Sequence, residues 1–220
     1  MKRPSNALAL AVLTLLFEQP MHPYQMSSTL RHRHKEESIR LNYGSLYSVV
    51  DSLAKKGLIA AGEAHREGNR PERTVYQLTD DGELAMREWL AEMLRDPSPQ
   101  YTDFEAALSL AGALPPSEVL DLLRHRIRSL KIVSAQYEGA LAVLPEGFPE
   151  LFRIEGDYAA ALRRAETTFV ERLVEKLEND TLDGTDMWRR IHELRDAGHT
   201  GDDLQQRLQK EFGDVMEWDV

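Results

Sequence analysis

Small hydroxyl side chains spaced at the helical period are the feature of this sequence with the clearest chemical meaning. Ser45, Ser48 and Ser52 fall on one side of a short segment. The opposite side is apolar at i, i+3, i+4 and i+7, a stripe made of Leu46, Val49, Val50 and Leu53. Hydroxyls donate and accept hydrogen bonds, so a helix that exposes them can contact base edges and phosphates. This pattern favours a nucleic-acid groove over a catalytic site.

A basic hairpin follows that segment. Leu58 and Ile59 begin one predicted strand, and residues 74–79 form a second, with Tyr76 and Leu78 on one face. The connection, residues 66–73, contains three arginines and the turn formers Gly68, Asn69 and Pro71. We expect this hairpin, which we call the wing, to present positive charge beside the hydroxyl-bearing helix.

The elements that must position this pair lie upstream. Residues 7–17 are almost wholly apolar, as expected of a buried helix, and residues 24–34 form a second predicted helix. Asn42 is a suitable N-cap for the third helix, and Gly57 can take the left-handed conformation that ends it. Three helices and a two-stranded wing predict a winged helix-turn-helix, whose third helix enters the major groove while the wing reaches phosphates or the minor groove.

We therefore predict DNA contacts from three regions. They are the third helix with its leading flank (Arg40, Asn42, Tyr43, Ser45, Tyr47, Ser48), the wing tip (Arg66, Asn69, Arg70, Arg73) and the start of the chain (Lys2, Arg3). Two alternatives stay open. The serines are also compatible with a merely solvated helix surface, and Tyr47 lies close enough to the apolar stripe to pack in the core.

Charge divides the chain in the same way. The whole protein carries a formal charge of −10. Residues 1–79 contain 11 Lys and Arg against 7 Asp and Glu, a balance of +4, whereas residues 80–220 contain 16 against 30, a balance of −14. The basic part coincides with the predicted groove reader, so this asymmetry supports a nucleic-acid partner more than the net charge opposes it.

Several classes of protein are disfavoured. The chain has no cysteine, hence no disulfide and no thiolate ligand or nucleophile, and HExxH, GxSxG, GxGxxG and P-loop motifs are absent. His32 and His34, at i and i+2, would face different sides of a helix. We expect no enzyme, no metal and no cofactor. No stretch of about 20 apolar residues is present, and the apolar start lacks a cleavage signal, so we expect a cytoplasmic protein without membrane association.

Helical patterns dominate the remainder. Residues 1–95 form the predicted DNA-binding domain, closed by a helix over residues 83–94, and residues 96–101 form a linker. Residues 102–180 form a predicted all-α domain with helices over 102–113, 117–143 and 150–179, the last two joined by a connection short enough to require an antiparallel hairpin. Residues 181–220 form a helical extension of unassigned role. The predicted fold class is thus mostly α.

The last long helix carries a row of apolar positions spaced by threes and fours, typical of a helix–helix seam. These are Leu151, Ile154, Tyr158, Ala161, Ala165, Phe169, Leu173 and Leu177. The seam is either intramolecular core or a subunit interface. We favour a homodimer interface, because helix-turn-helix readers typically bind two-fold operators as dimers. Leu110, Leu114, Tyr137, Phe148, Phe152 and Phe169 are candidates to line a ligand pocket, although ordinary core packing explains them better.

Four short motifs carry a family resemblance. They are Met21-His22-Pro23-Tyr24, Gly44-Ser45-Leu46-Tyr47, the exit Leu53-x-x-x-Gly57-Leu58-Ile59, and Tyr76-Gln77-Leu78-Thr79-x-x-Gly82. In this order and spacing, residues 7–94 resemble the PadR-type transcriptional regulators, and residues 102–179 are more weakly similar to the helical C-terminal domain of longer members. The resemblance implies a cytoplasmic dimeric repressor that occludes its operator and is released by a small apolar or aromatic effector. The alternative is a winged-helix protein-interaction module that does not bind nucleic acid.

Overall fold

The computed structural model describes residues 7–39, 43–62 and 74–213. The chain divides into two compact units, Met1–Gln100 and Tyr101–Val220. In the described residues, no helix is long and apolar enough to cross a membrane.

The first unit is built around one central helix. Helix α1 (Ala7–Glu18) buries most of its side chains, with Val12 and Leu13 fully enclosed, because it is apolar nearly all round. It packs against α3 (Tyr43–Lys55), α4 (Asp80–Arg95) and the sheet. The core of this unit therefore forms around α1, and α3 is fastened to it.

Helix α2 (Pro23–His32) begins with a histidine cap. The His22 ring Nδ1 accepts from the backbone N–H of Tyr24, and the side chain of Gln25 accepts from the His22 N–H, each at 3.0 Å. Pro23 occupies the first turn, where its missing N–H costs nothing. The helix predicted over 24–34 is too long at its end, since His34 has a positive φ of 54° and leaves the helical path.

The sheet is antiparallel. Strand β1 (Ile59–Ala61) pairs with β2 (Tyr76–Leu78), with Ile59 opposite Leu78 and Ala61 opposite Tyr76. Met21 adds a bridge on the other side of β2, because its N–H and C=O both bond to Tyr76 at 3.0 Å. The segment before α2 is thereby fixed to the wing strands.

The second unit consists of α5 (Asp103–Ser109), α6 (Pro116–Ala142), α7 (Ile154–Glu178), α8 (Thr185–Asp196) and α9 (Gly201–Phe212). Helices α6 and α7 form the predicted antiparallel hairpin, packed through Val119, Leu123, Val170 and Val174. The helix predicted over 102–113 is interrupted, since a 3-10 turn at Ala111–Ala113 replaces its last turn around a glycine. The helix predicted to begin at residue 150 starts at Ile154, after a 3-10 turn at Glu150–Phe152.

The predicted fold class is confirmed. The chain is mostly helical, with a winged helix-turn-helix first unit and an all-α second unit.

Candidate nucleic-acid interface

Helix α3 is anchored by the apolar stripe that the sequence predicts. Leu46, Val50 and Leu53 are at most 3% exposed, and Val49 is 9% exposed. The helix ends where Gly57 takes a φ of +73°, a conformation that glycine adopts without strain. Burying one side of α3 in this way determines which side remains open.

The open side carries the predicted hydrogen-bonding groups. Gly44, Ser45 and Ser48 are exposed, and Tyr47 is 48% exposed. The sequence leaves open whether Tyr47 packs in the core. Its exposure excludes this, because a core residue would be enclosed. Farther along the same helix, Asp51, Ser52 and Lys55 are also exposed.

The hydroxyl of Ser48 is already engaged within the helix. Its Oγ lies 3.0 Å from the backbone carbonyl oxygen of Gly44, to which it donates. Such bonds from serine to the preceding turn are common in helices. They leave the lone pairs of the oxygen free, so Ser48 can still accept a hydrogen bond from a partner.

A second set of contacts fixes α3 relative to the wing strands. The Thr79 hydroxyl donates to the Gly57 carbonyl at 2.8 Å and accepts from the Gly82 N–H at 3.1 Å. The Thr79 N–H donates to the Leu58 carbonyl at 3.2 Å. One threonine therefore joins the end of α3, the exit of β2 and the cap of α4, so the reading helix and the wing strands are held together.

Many of the predicted DNA-binding residues lie outside the described part of the chain. They are Lys2, Arg3, Arg40, Asn42, Arg66, Asn69, Arg70 and Arg73, together with the side chain of Tyr43. Of the predicted contacts, the structure therefore brings together Ser45, Tyr47 and Ser48 on the exposed side of α3.

Sequence reasoning missed Asp51. It follows Ser48 by three residues, so the two side chains are neighbours on the helix surface. A single acidic residue among exposed hydroxyls is a signal that the sequence contains, but its meaning depends on exposure and on whether a cation neutralises it. Asp51 is exposed and forms no ion pair or hydrogen bond with any described residue.

The proposed dimer seam divides into two groups. Most of its members are exposed: Leu151 in the 3-10 turn before α7, and Ile154, Tyr158, Ala161, Ala165 and Phe169 on α7. Leu177, in contrast, is only 6% exposed, and Leu173 packs against the same internal cluster. For these two residues the structure supports the core alternative. Leu162, 54% exposed, is an apolar member of the open face that lies outside the predicted row.

The open face lies on a hairpin held by cross-helix ion pairs. Arg124 binds Glu178 at 2.7 Å. Lys131 likewise binds Glu171 at 2.7 Å. Such exposed pairs stabilise little individually, but they confirm the antiparallel register of α6 and α7.

A groove of about 380 Å³ lies between α5 and the first half of α6. Phe104, Leu108 and Leu122 line it, with Leu114 as the one member of the sequence-derived pocket set. The Arg126 guanidinium stacks on the Phe104 ring, 3.7 Å from its centroid, and binds Glu166. The chain thus contains an apolar recess of the size that small ligands occupy.

One protein family matches part of the first unit. The Transcriptional regulator PadR-like family matches residues 12–88, which run from the middle of α1 to the middle of α4. Residues 12–88 are therefore a PadR-like domain. No curated protein matches the chain.

Solved structures show the same fold. The chain is similar to Bacillus subtilis PadR in complex with operator DNA, with 18% identity, coverage of 77% of this chain and 98% of that one, and a TM-score of 0.58. The same protein in complex with p-coumaric acid matches with 17% identity, coverage of 78% of this chain and 98% of that one, and a TM-score of 0.61. A protein of Streptococcus mutans UA159 matches with 18% identity, coverage of 78% and 100%, and a TM-score of 0.53.

Proposed function

We propose that this chain, whose residues 12–88 form a PadR-like domain, is a dimeric DNA-binding transcriptional regulator. The observation that carries the proposal is the open side of α3, where exposed Ser45, Tyr47 and Ser48 stand opposite a fully buried stripe. A helix held in this way presents a preformed reading surface, which is what a recognition helix needs in the major groove.

The wing supplies the second part of the proposal. Its strands are fixed to α3 through Thr79, and the sequence between the strands contains Arg66, Arg70 and Arg73, which lie outside the described residues. Arginines next to a recognition helix would contact phosphates or the minor groove and position the helix on the duplex. The balance of +4 in residues 1–79 supports this role.

Dimerisation through α7 would place two such readers on one operator. The exposed apolar positions from Ile154 to Phe169 support a helix–helix interface between two copies. Two recognition helices would then occupy successive major grooves, about 34–36 Å apart. Bound across a promoter, the dimer would repress by occlusion.

Release by a small apolar or aromatic effector completes the proposed mechanism. The structure of Bacillus subtilis PadR with p-coumaric acid supports an effector for this chain by similarity of fold. A bound effector would act by changing the spacing of the two readers through the helical unit, which shifts the equilibrium only if it prefers one arrangement.

The double variant Ser45→Ala/Ser48→Ala tests the reading surface. We expect specific DNA affinity to fall, with fold and self-association unchanged, because both side chains are exposed. Ser129→Ala, an exposed serine of α6, is the matched control and should retain full affinity. Unchanged affinity of the double variant would remove these residues from the interface. Absence of any salt-dependent DNA binding by the parent protein would favour the protein-interaction module instead.

A further inference from the structure

Two neighbouring side chains in the middle of α3 share an unusual chemical property. Asp51 is exposed and pairs with no cation among the described residues, although Lys55 follows it at i+4. Ser48, one turn earlier, already donates its hydroxyl proton to the Gly44 carbonyl. Both side chains therefore offer hydrogen-bond acceptors and, in this arrangement, no donor.

Ser45 provides the contrast on the same helix. Its hydroxyl forms no hydrogen bond with any described residue, so it keeps both a donor and acceptors. Along the reading side of α3, Ser45 can therefore donate and accept hydrogen bonds. Ser48 and Asp51, farther along the helix, can only accept them.

The major groove distinguishes these two classes. Cytosine N4 and adenine N6 present amine donors, whereas guanine O6 and thymine O4 present acceptors at the equivalent position. An acceptor side chain pairs with the amines and repels the keto oxygens. Carboxylates pair in particular with cytosine N4.

We infer that Ser48 and Asp51 together select amine-bearing bases, with cytosine opposite Asp51 and cytosine or adenine opposite Ser48. Three residues span about 4.5 Å along a helix, and successive base pairs rise about 3.4 Å. The two side chains are therefore spaced so that they can reach neighbouring base pairs. This inference rests on the proposed function and specifies which bases the reading surface accepts.

Asp51 acts mainly by rejection. A carboxylate that enters the groove lies near phosphates and loses water, and only an amine donor compensates for this. Opposite a keto base it remains unpaired and repelled, which penalises the wrong sequence more than it strengthens the right one. Removing the charge should therefore strengthen binding to unrelated DNA while it weakens discrimination.

The test is selection from a pool of duplexes with a random core of about 30 base pairs, enough for two half-sites one turn apart. The parent protein, Asp51→Asn and Ser48→Ala are compared. The parent should enrich an amine-bearing dinucleotide in each half-site. Asp51→Asn replaces the carboxylate by an amide that pairs with adenine, so its preference should move from cytosine to adenine at one position. Ser48→Ala should lose its preference at the neighbouring position only.

Affinities measured on the enriched duplex and on a shuffled one give the magnitude. We expect the discrimination against a keto base opposite Asp51 to fall by about 5- to 150-fold in Asp51→Asn, with tighter binding to the shuffled duplex. Glu88→Gln removes an exposed negative charge from α4 of the same unit. As the matched control it should leave the enriched sequence unchanged.

The possible outcomes distinguish a failure of the role inferred for Asp51 from a failure of the proposed function. An enriched sequence that is the same for the parent and Asp51→Asn would overturn the role of Asp51 and leave the proposed function standing. A keto base enriched opposite Asp51 would do the same. Failure of the folded parent protein to enrich any sequence would overturn both.

Discussion

Gly82 lies directly against the backbone of Leu58. A β-carbon on Gly82 would stand 1.9 Å from the Leu58 carbonyl oxygen and 2.8 Å from Cδ1 of Leu78. The first turn of α4 therefore lies against the main chain of Leu58. Glycine is required here for space, which gives a physical reason for the last residue of the Tyr76–Gly82 motif.

We predict that Gly82→Ala destabilises the first unit by about 3 kcal/mol, because α4 must move away from a backbone that cannot yield. Chemical unfolding monitored by circular dichroism measures the change, and DNA affinity should fall with it. Gly139→Ala is the control, since nothing lies within 4 Å of an added β-carbon at this position in the last turn of α6. There a stabilisation of at most about 0.5–1 kcal/mol is expected, the range for a glycine in the middle of a helix. Equal stability of Gly82→Ala and the parent would contradict the close contact.

A second prediction concerns Tyr137 at the far end of the α6–α7 hairpin. Its hydroxyl donates to Asp157 Oδ1 at 2.9 Å. Burial raises the pKa of Tyr137 above its usual value of 10.0, and this hydrogen bond raises the pKa further. A raised pKa in the folded state means that the contribution is present below about pH 10 and is lost as the pH rises through the folded pKa.

Tyr137→Phe should therefore cost about 1 kcal/mol at pH 8. The difference in free energy of unfolding between parent and variant should shrink above about pH 10. Urea unfolding of both proteins at several pH values checks this. A difference that stays constant to strongly alkaline pH would show that the hydroxyl proton is not what stabilises the hairpin.

A third prediction addresses self-association. Phe169 is 52% exposed at the C-terminal end of the open face of α7, so Phe169→Asp should leave the fold intact and weaken dimerisation at least about tenfold. Sedimentation equilibrium is the measurement. Val143→Asp, at an 81% exposed position just after α6, is the control and should dimerise normally. If Phe169→Asp associates as tightly as the parent, the interface lies elsewhere.

A fourth prediction concerns the C-terminal extension, for which the sequence suggests no role. Trp188 of α8 donates from Nε1 to the Leu114 carbonyl at 2.8 Å, and the His192 ring lies within 3.1 Å of the Gly112 carbonyl oxygen. These contacts fasten α8 to the segment that precedes α6.

Trp188→Phe removes the donor of this hydrogen bond, so the Leu114 carbonyl loses its Trp188 partner. We expect a loss of about 1 kcal/mol and faster amide hydrogen exchange in α8. Arg195→Gln, an exposed change on the same helix, should alter neither. Unchanged exchange in Trp188→Phe would mean that α8 is held by its apolar contacts alone.

Local patterns in the sequence predict the reading helix well because its physics is local. The stripe from Leu46 to Leu53 fixes which side is buried, and Gly57 ends the helix as expected. The acceptor character of Ser48 and Asp51 was not predictable in the same way. It depends on a hydrogen bond within the helix and on the lack of a cationic partner for Asp51 among the described residues, and neither follows from residue spacing.

The predicted interface on α7 is wrong for its last two residues, and the reason is geometric. From Ala161 to Leu177 the row advances by four residues at each step. At 3.6 residues per turn, four residues overshoot one turn by about 40°, so these four steps rotate the row by about 160° around the helix. A single row of apolar residues therefore begins on the open face and ends, at Leu173 and Leu177, in the internal core. Spacing alone predicts a helix–helix contact but does not identify the partner of each turn.

Fluorescence anisotropy shows whether this chain recognises a DNA sequence. The parent protein is titrated against a labelled duplex from the region upstream of its own gene and against a shuffled duplex, at several salt concentrations. We predict tight, selective binding whose log affinity falls with log salt at a slope of about −5 if two copies contact about six phosphates. Weak and equal binding to both duplexes, followed by failure of a genome-fragment selection to enrich any sequence, would contradict sequence-specific DNA binding by this chain.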